Sequence, residues 1–171
     1  MITVIDNYLT DKDFEHIRDW AFSHQVEWRY SPGVADDDDT GLGYFYHQLY
    51  GDQEPKSRWL HEGMVAPIIQ KAKMAVCLRI KLNLYTSTET IQYHAPHKDF
   101  PFPHKAAVYC LNTCDGGTTI GETRIDSVAN RMILFDGSED HFSSTCTDQP
   151  LRVNINLNWL NPYADNNEIP K

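Results

Sequence analysis

The chain has 171 residues, 41% hydrophobic and 12% aromatic, which suits one folded domain burying roughly 70% of its extended surface and rules against disorder. Its net charge of −9 repels phosphate backbones, so nucleic acid is an unlikely partner. No run approaches the length of a membrane-spanning helix. The start, Met1 to Phe14, has no basic and apolar regions of a secretory signal, which points to the cytoplasm.

The first element in chain order is a short strand, Ile2 to Ile5. Thr10 follows as a helix N-cap, with Asp13 in capping-box position. Phe14, Ile17, Trp20 and Ala21 recur at helical spacing, so the pattern predicts an amphipathic helix over 11–24. A second helical pattern covers about 57–73, buried through Trp59, Leu60, Met64, Ile68 and Ile69. Pro67 within it should kink or restart it. Beyond residue 74 the chain reads as all β. Strands are expected near 26–30, 43–50, 76–86, 89–93, 106–112, 117–120, 122–126, 131–135, 141–145 and 151–159. Asp115-Gly116-Gly117 reads as a turn or a bulge. The polar tail from Asn161 to Lys171 is expected to fray. The expected fold is mostly β with supporting α-helices: a helical support over about 1–75, and a jelly-roll core over about 76–160. Cys77, Cys110, Cys114 and Cys146 complete no zinc spacing and read as reduced, mostly buried thiols.

Two strands have sharply divided faces. In 151–159, Val153, Ile155, Leu157 and Trp159 oppose Arg152, Asn154, Asn156 and Asn158. In 78–85, Leu78, Ile80, Leu82 and Leu84 oppose Arg79, Lys81, Asn83 and Tyr85. The polar faces either meet solvent or line a cavity between two sheets. Asn is depleted in strands, so three alternating Asn after an Arg require a reason.

His97-Lys98-Asp99 aims an imidazole and a carboxylate at one point, because residues i and i+2 project to the same side of an extended segment. His141, following a strand and an acidic turn, could close the set. Two His and one carboxylate on one face of a metal leave the opposite face open, as in non-heme Fe(II) oxygenases. Arg152 would suit a dicarboxylate co-substrate. His94 and His104 compete as ligands in other loop geometries, but only His97 has a carboxylate at i+2. His24, His47 and His61 read as ordinary interfacial or surface residues.

From Arg79 to Trp159 the chain resembles the Fe(II)/2-oxoglutarate-dependent dioxygenases, in their prolyl-4-hydroxylase-like branch. The matching pieces are Lys81 to Tyr85, His97-Lys98-Asp99, Val108 to Asn112, Asp115 to Thr118, Asn130 to Asp136, His141 and Arg152 to Asn156. The compact form looks like versions carried by bacteria and marine bacteriophages, in which case the compartment is a host cytoplasm. The resemblance implies a double-stranded β-helix, with His97, Asp99 and His141 binding Fe(II), and Arg152 binding the distal carboxylate of 2-oxoglutarate. Asn83 and Tyr85 become candidates for hydrogen bonds to that co-substrate. It also implies hydroxylation of a C–H bond with O2, giving succinate and CO2. A carboxylate at Asp99 leaves no vacancy for halide and disfavours halogenation by family analogy. The first expected substrate is a prolyl or other peptidyl residue, with a small metabolite close behind. The competing class is a non-catalytic metal-binding jelly-roll module. The chain departs from many relatives in the short, Pro-rich run Phe100-Pro101-Phe102-Pro103.

On the substrate side, Tyr44, Tyr46, Gln48 and Tyr50 alternate with Phe45, His47 and Leu49. This fits a strand with an aromatic flank under a loop, or an aromatic wall over the iron. Asp36 to Asp39 reads as a solvated loop, or as a lid attracting a basic substrate.

Overall fold

The computed structural model describes residues 1–34 and 41–161. The acidic run Asp36 to Asp39 and the tail beyond Asn161 lie outside them. In chain order the elements are β1 (Thr3–Ile5), α1 (Asp11–Ala21), β2 (Arg29–Ser31), β3 (Tyr44–Gly51), β4 (Glu54–Pro55), α2 (Arg58–His61), α3 (Ala66–Lys71) and β5 (Val76–Thr86). Then follow β6 (Lys105–Cys110), β7 (Cys114–Ile120), β8 (Thr123–Ser127), β9 (Arg131–Asp136), β10 (His141–Ser143) and β11 (Leu151–Leu160). No helix among the described residues is long and apolar enough to cross a membrane.

The strands form two sheets. The major sheet runs β1-β9-β6-β11-β5-β3-β2, with β4 paired to β3, and the minor sheet runs β10-β7-β8. Every pairing between named strands is antiparallel. This is the mostly β jelly roll, or double-stranded β-helix, with helices packed on one side.

The helices pack on the outer face of the major sheet. Phe14, Ile17 and Trp20 of α1, Trp59 of α2 and Ile68 of α3 join Leu82, Tyr109, Met132, Val153, Ile155, Leu157 and Trp159 in one buried cluster. Between the sheets a smaller cluster gathers Ala106, Val108, Ile120, Ile125, Ile133 and Phe135. β6 and β9 contribute residues to both clusters and therefore have two buried faces. That is why β6 and β9 read as nearly continuous apolar runs instead of alternating ones.

Local chemistry accounts for the element ends. Thr10 caps α1, its Oγ1 accepting from the Asp13 N–H at 3.2 Å. The helical pattern over 57–73 divides into α2 and α3. Gly63, at φ +76°, breaks it, and Pro67 sits in the first turn of α3, where a missing N–H costs nothing. The expected strand over 89–93 is absent: only Tyr93 bridges, to Ser144. Side-chain hydroxyls interrupt the ladder there, with Gln92 N–H donating to Thr145 Oγ1 at 2.9 Å and Thr88 Oγ1 to Thr90 O at 2.7 Å, while scattered backbone bonds such as Thr145 N–H to Gln92 O at 2.9 Å remain. Asp115-Gly116-Gly117 lies inside β7 as a bulge, the register shifting between Cys114 and Gly117.

Asn130 ties the N-terminus to this frame. It adopts φ +60°, which Asn tolerates better than most residues. Its side chain accepts from Leu9 N–H at 2.9 Å, donates to Leu9 O at 3.0 Å and accepts from Tyr109 Oη at 2.7 Å.

Candidate metal and co-substrate site

The polar faces of β5 and β11 are paired residue for residue. Arg152 lies opposite Tyr85, Asn154 opposite Asn83, Asn156 opposite Lys81 and Asn158 opposite Arg79. All four polar residues of β11 are buried, Arg152 and Asn158 completely. Of the two readings open from periodicity, solvent and cavity, this face takes the second. It forms one wall of a cleft between the sheets.

The minor sheet supplies the opposite wall. His141 begins β10 and pairs with Ile120 of β7. The segment before β6 runs back along β10, so that His97 and His141 form an antiparallel bridge. Their rings lie 4.6 Å apart between centroids. Asp99, two residues on from His97, completes the group, with Nε2-to-carboxylate distances of 3.8 Å to His97 and 3.6 Å to His141. One ligand atom from each of the three lies within 4.8 Å of the others. The Nδ1 atoms face carbonyls, Ala95 O at 3.3 Å for His97 and Glu139 O at 3.0 Å for His141. With Nδ1–H donating, both Nε2 lone pairs point inward, the tautomer a metal requires.

Asp99 connects the two walls. Arg79 Nη2 donates to its Oδ1, while Asn158 Nδ2 and Asn156 Nδ2 donate to Oδ2 at 2.7 and 3.3 Å. Burial would push this carboxyl up, but nearby His141, the Arg79 guanidinium and the Asn158 amide outweigh it and hold it well below the ordinary carboxylate range. Burial, with His141 adding to it, lowers the His97 pKa and favours the neutral ring. The result is an imidazole favoured in its neutral form at His97 and an anionic oxygen donor at Asp99, beside the His141 ring, a donor set that suits a divalent cation.

Arg152 is 0% exposed. Its Nη1 donates to Ser144 O at 3.1 Å and its Nη2 to Thr118 Oγ1 at 2.9 Å, and the guanidinium lies 5.2 Å from the Tyr85 ring centroid. Its Nε–H has no acceptor among the described residues. A fully buried cation with an unmet donor fits an anionic ligand better than a purely structural role. Thr118, Asn83 and Tyr85 line the cleft beside it. Asn83 Nδ2 donates to Asn154 Oδ1 at 3.2 Å, and its own carbonyl oxygen has no described partner. Gly116 is required for close approach: a Cβ there would lie 2.5 Å from Thr145 O and 2.9 Å from Arg152 Cδ.

The competing histidines lie elsewhere. His94 is buried with Nδ1 3.0 Å from Ser143 O and its ring 5.0 Å from Tyr85. His104 packs over Gly137, Nδ1 2.8 Å from Phe102 O. His47 lies between Glu27 O and Ser57 Oγ, 2.9 Å from each. Tyr44 stacks on Tyr85 at 5.6 Å and accepts from Lys81 Nζ at 2.9 Å, so this end of β3 borders the cleft. Sequence reasoning placed Arg79 and Lys81 on a polar face without giving either a role, and it missed Thr118 and Ser144 as partners of Arg152. The one available signal was the matched alternation of the two strands.

No protein-family model matches the chain, and no curated protein matches it in sequence. Solved structures match it in fold. An oxidoreductase of the 2OG-Fe(II) oxygenase family from Burkholderia pseudomallei aligns with TM-score 0.64 and 11% identity, covering 92% of this chain and 84% of that one. A prolyl hydroxylase from Trichoplax adhaerens, solved with a hypoxia inducible factor oxygen degradation domain peptide fragment, gives 0.62 and 16%, covering 93% and 83%. HygX from Streptomyces hygroscopicus, solved with nickel and 2-oxoglutarate bound, gives 0.56 and 10%, covering 95% and 83%. The chain has the fold of these oxygenases.

Proposed function

We propose that the protein is an Fe(II)- and 2-oxoglutarate-dependent oxygenase that hydroxylates a C–H bond. One observation carries this reading: His97, Asp99 and His141 converge on a cleft whose wall holds the buried Arg152. His97, Asp99 and His141 would hold the ferrous ion. Arg152, with Thr118 beside it, would hold the distal carboxylate of 2-oxoglutarate. Thr118 pairs with Ser143, two residues along β10 from His141. That step is about 7 Å of strand, close to the span of a five-carbon keto-diacid. Asn83 and Tyr85 line the stretch between and would orient it. Bound together, iron and the keto acid supply O2 activation and C–H oxidation, with succinate and CO2 as co-products.

The chain's own residues supply position and exclusion. The carbonyls of Ala95 and Glu139 fix the imidazole tautomers. Arg79, Asn156 and Asn158 set the carboxylate's orientation. The apolar cluster between the sheets keeps bulk water from one side of the site. The likeness to a prolyl hydroxylase solved with a peptide makes a prolyl or other peptidyl residue one substrate class, and a small metabolite is the other.

The test is anaerobic addition of Fe(II) and 2-oxoglutarate. A weak visible charge-transfer band should form, and air should then yield succinate. Absence of both would leave a metal-binding module without turnover.

A further inference from the structure

Among the described residues the charges lining the cleft do not balance. Among the described lining residues Asp99 is the single carboxylate, against Arg79 and Lys81. Asp99 already receives Arg79. Lys81 Nζ has the Tyr44 hydroxyl at 2.9 Å and the Tyr44 and Tyr46 rings at 5.2 and 5.8 Å; Asp99 acts on it through space, but no described carboxylate forms an ion pair with it. Arg79 and Lys81 are at i and i+2 on one face, about 7 Å apart along the strand. Two like charges held this close in a part-buried cleft cost stability, and a Met or Gln at position 81 would avoid that cost.

Nor would the co-substrate supply the missing charge. On the function proposed above, a divalent cation, a keto-diacid, Asp99 and Arg152 sum to zero, leaving Arg79 and Lys81 in excess. Lys81 lies opposite Asn156 on β11, whose amide donates to Asp99 at 3.3 Å. It is therefore level with the metal ligands, four residues or about 13 Å along the strand from Arg152. The distal carboxylate belongs to Arg152, and Lys81 faces the space beside the metal.

We infer that the primary substrate carries an anionic group, a carboxylate or phosphate, that seats on Lys81 with Arg79 beside it. This rests on the oxygenase reading for where the substrate sits. In a protein of net charge −9, a basic cleft of this kind also selects against cationic ligands.

The experiment is calorimetric titration of the protein loaded with Mn(II) and saturating 2-oxoglutarate. The probes are matched acid and neutral pairs: N-acetylaspartate and N-acetylasparagine, N-acetylglutamate and N-acetylglutamine, O-phosphoserine and serine. At least one acid should bind about tenfold or more tightly than its neutral partner. The first two pairs report a carboxylate and the third a phosphate. Lys81→Met should erase the preference and Lys81→Arg should keep most of it. If Lys81→Met does not fold, Lys81→Gln takes its place, and if neither folds the wild-type ratio decides. Equal affinity within every pair, or a preference that survives loss of the lysine, overturns the inference. Titrating 2-oxoglutarate first, without the pairs, tests the oxygenase reading separately. Should it fail to bind while the acid preference and its loss at Lys81→Met persist, that reading falls and the anion site stands.

Discussion

His97 and His141 are backbone partners: each donates its main-chain N–H to the other's carbonyl, both at 3.0 Å. The spacing of the two imidazoles is thus set by a β-bridge and not by side-chain rotamers alone. A gap fixed this way before any ion arrives avoids ordering cost on binding.

Removing the carboxylate should be far more damaging than removing the neighbouring histidine. Asp99→Ala is expected to abolish iron retention and turnover, whereas His94→Ala should keep close to wild-type metal content after desalting. Metal analysis of the two purified variants decides between them, and the opposite ranking would move the site to His94.

Arg152→Ala should retain iron but need about ten- to a hundredfold more 2-oxoglutarate, the equivalent of losing a charge-assisted contact of roughly 1.5–3 kcal/mol. The measurement is the concentration dependence of the charge-transfer band. An unchanged midpoint would remove Arg152 from the site.

Gly116→Ala places a methyl against Thr145 O and Arg152 Cδ. Thr145 O belongs to the backbone, so relieving its contact requires the chain at Gly116 or Thr145 to shift, and Arg152 must yield as well. Overpacking of this kind costs about 1–3 kcal/mol, and the displaced guanidinium should raise the 2-oxoglutarate requirement as well. Thermal melting and co-substrate titration together check this. A lowered melting temperature with normal co-substrate affinity would mean that Arg152 tolerates the shift.

The metal-free protein should lose stability on acidification. His97 is depressed from its ordinary 6.5 by burial, so the unfolded chain binds the proton more readily, and stability falls as pH drops below about 6.5. Asp99 is depressed from 3.8, which adds a second loss as pH falls through the carboxylate range. Both slopes have the same sign. Melting temperatures of wild type and His97→Gln between pH 8 and pH 4 would show it, the variant lacking the upper part of the decline.

The positions of most strands in the jelly-roll half were legible because short apolar or alternating runs there are separated by Gly, Pro and polar breaks; their order in the sheets was not. His97, Asp99 and His141 were legible because an i, i+2 pair has fixed geometry in extended chain. The expected strand at 89–93 failed because the Thr145 hydroxyl takes the Gln92 N–H and the Thr88 hydroxyl caps Thr90 O, which interrupts the ladder, and β-propensity does not register such side-chain competition. The partners of Asp99 were hidden for a different reason. Arg79 is 20 residues away and Asn158 is 59, and only the closure of the two sheets brings them together. Asn154, Asn156 and Asn158 looked anomalous in a strand; two of them hydrogen-bond Asp99 and the third Asn83.

The grip of Asn130 on Leu9 has a practical side. It holds the leading segment so that β1 covers the flank of β9. A truncation that began at α1, or Asn130→Ala, would uncover the hydrogen-bonding rim of β9 and the apolar strip beside it. Such a rim recruits strands from other molecules, so the shortened protein should self-associate even with every metal ligand intact.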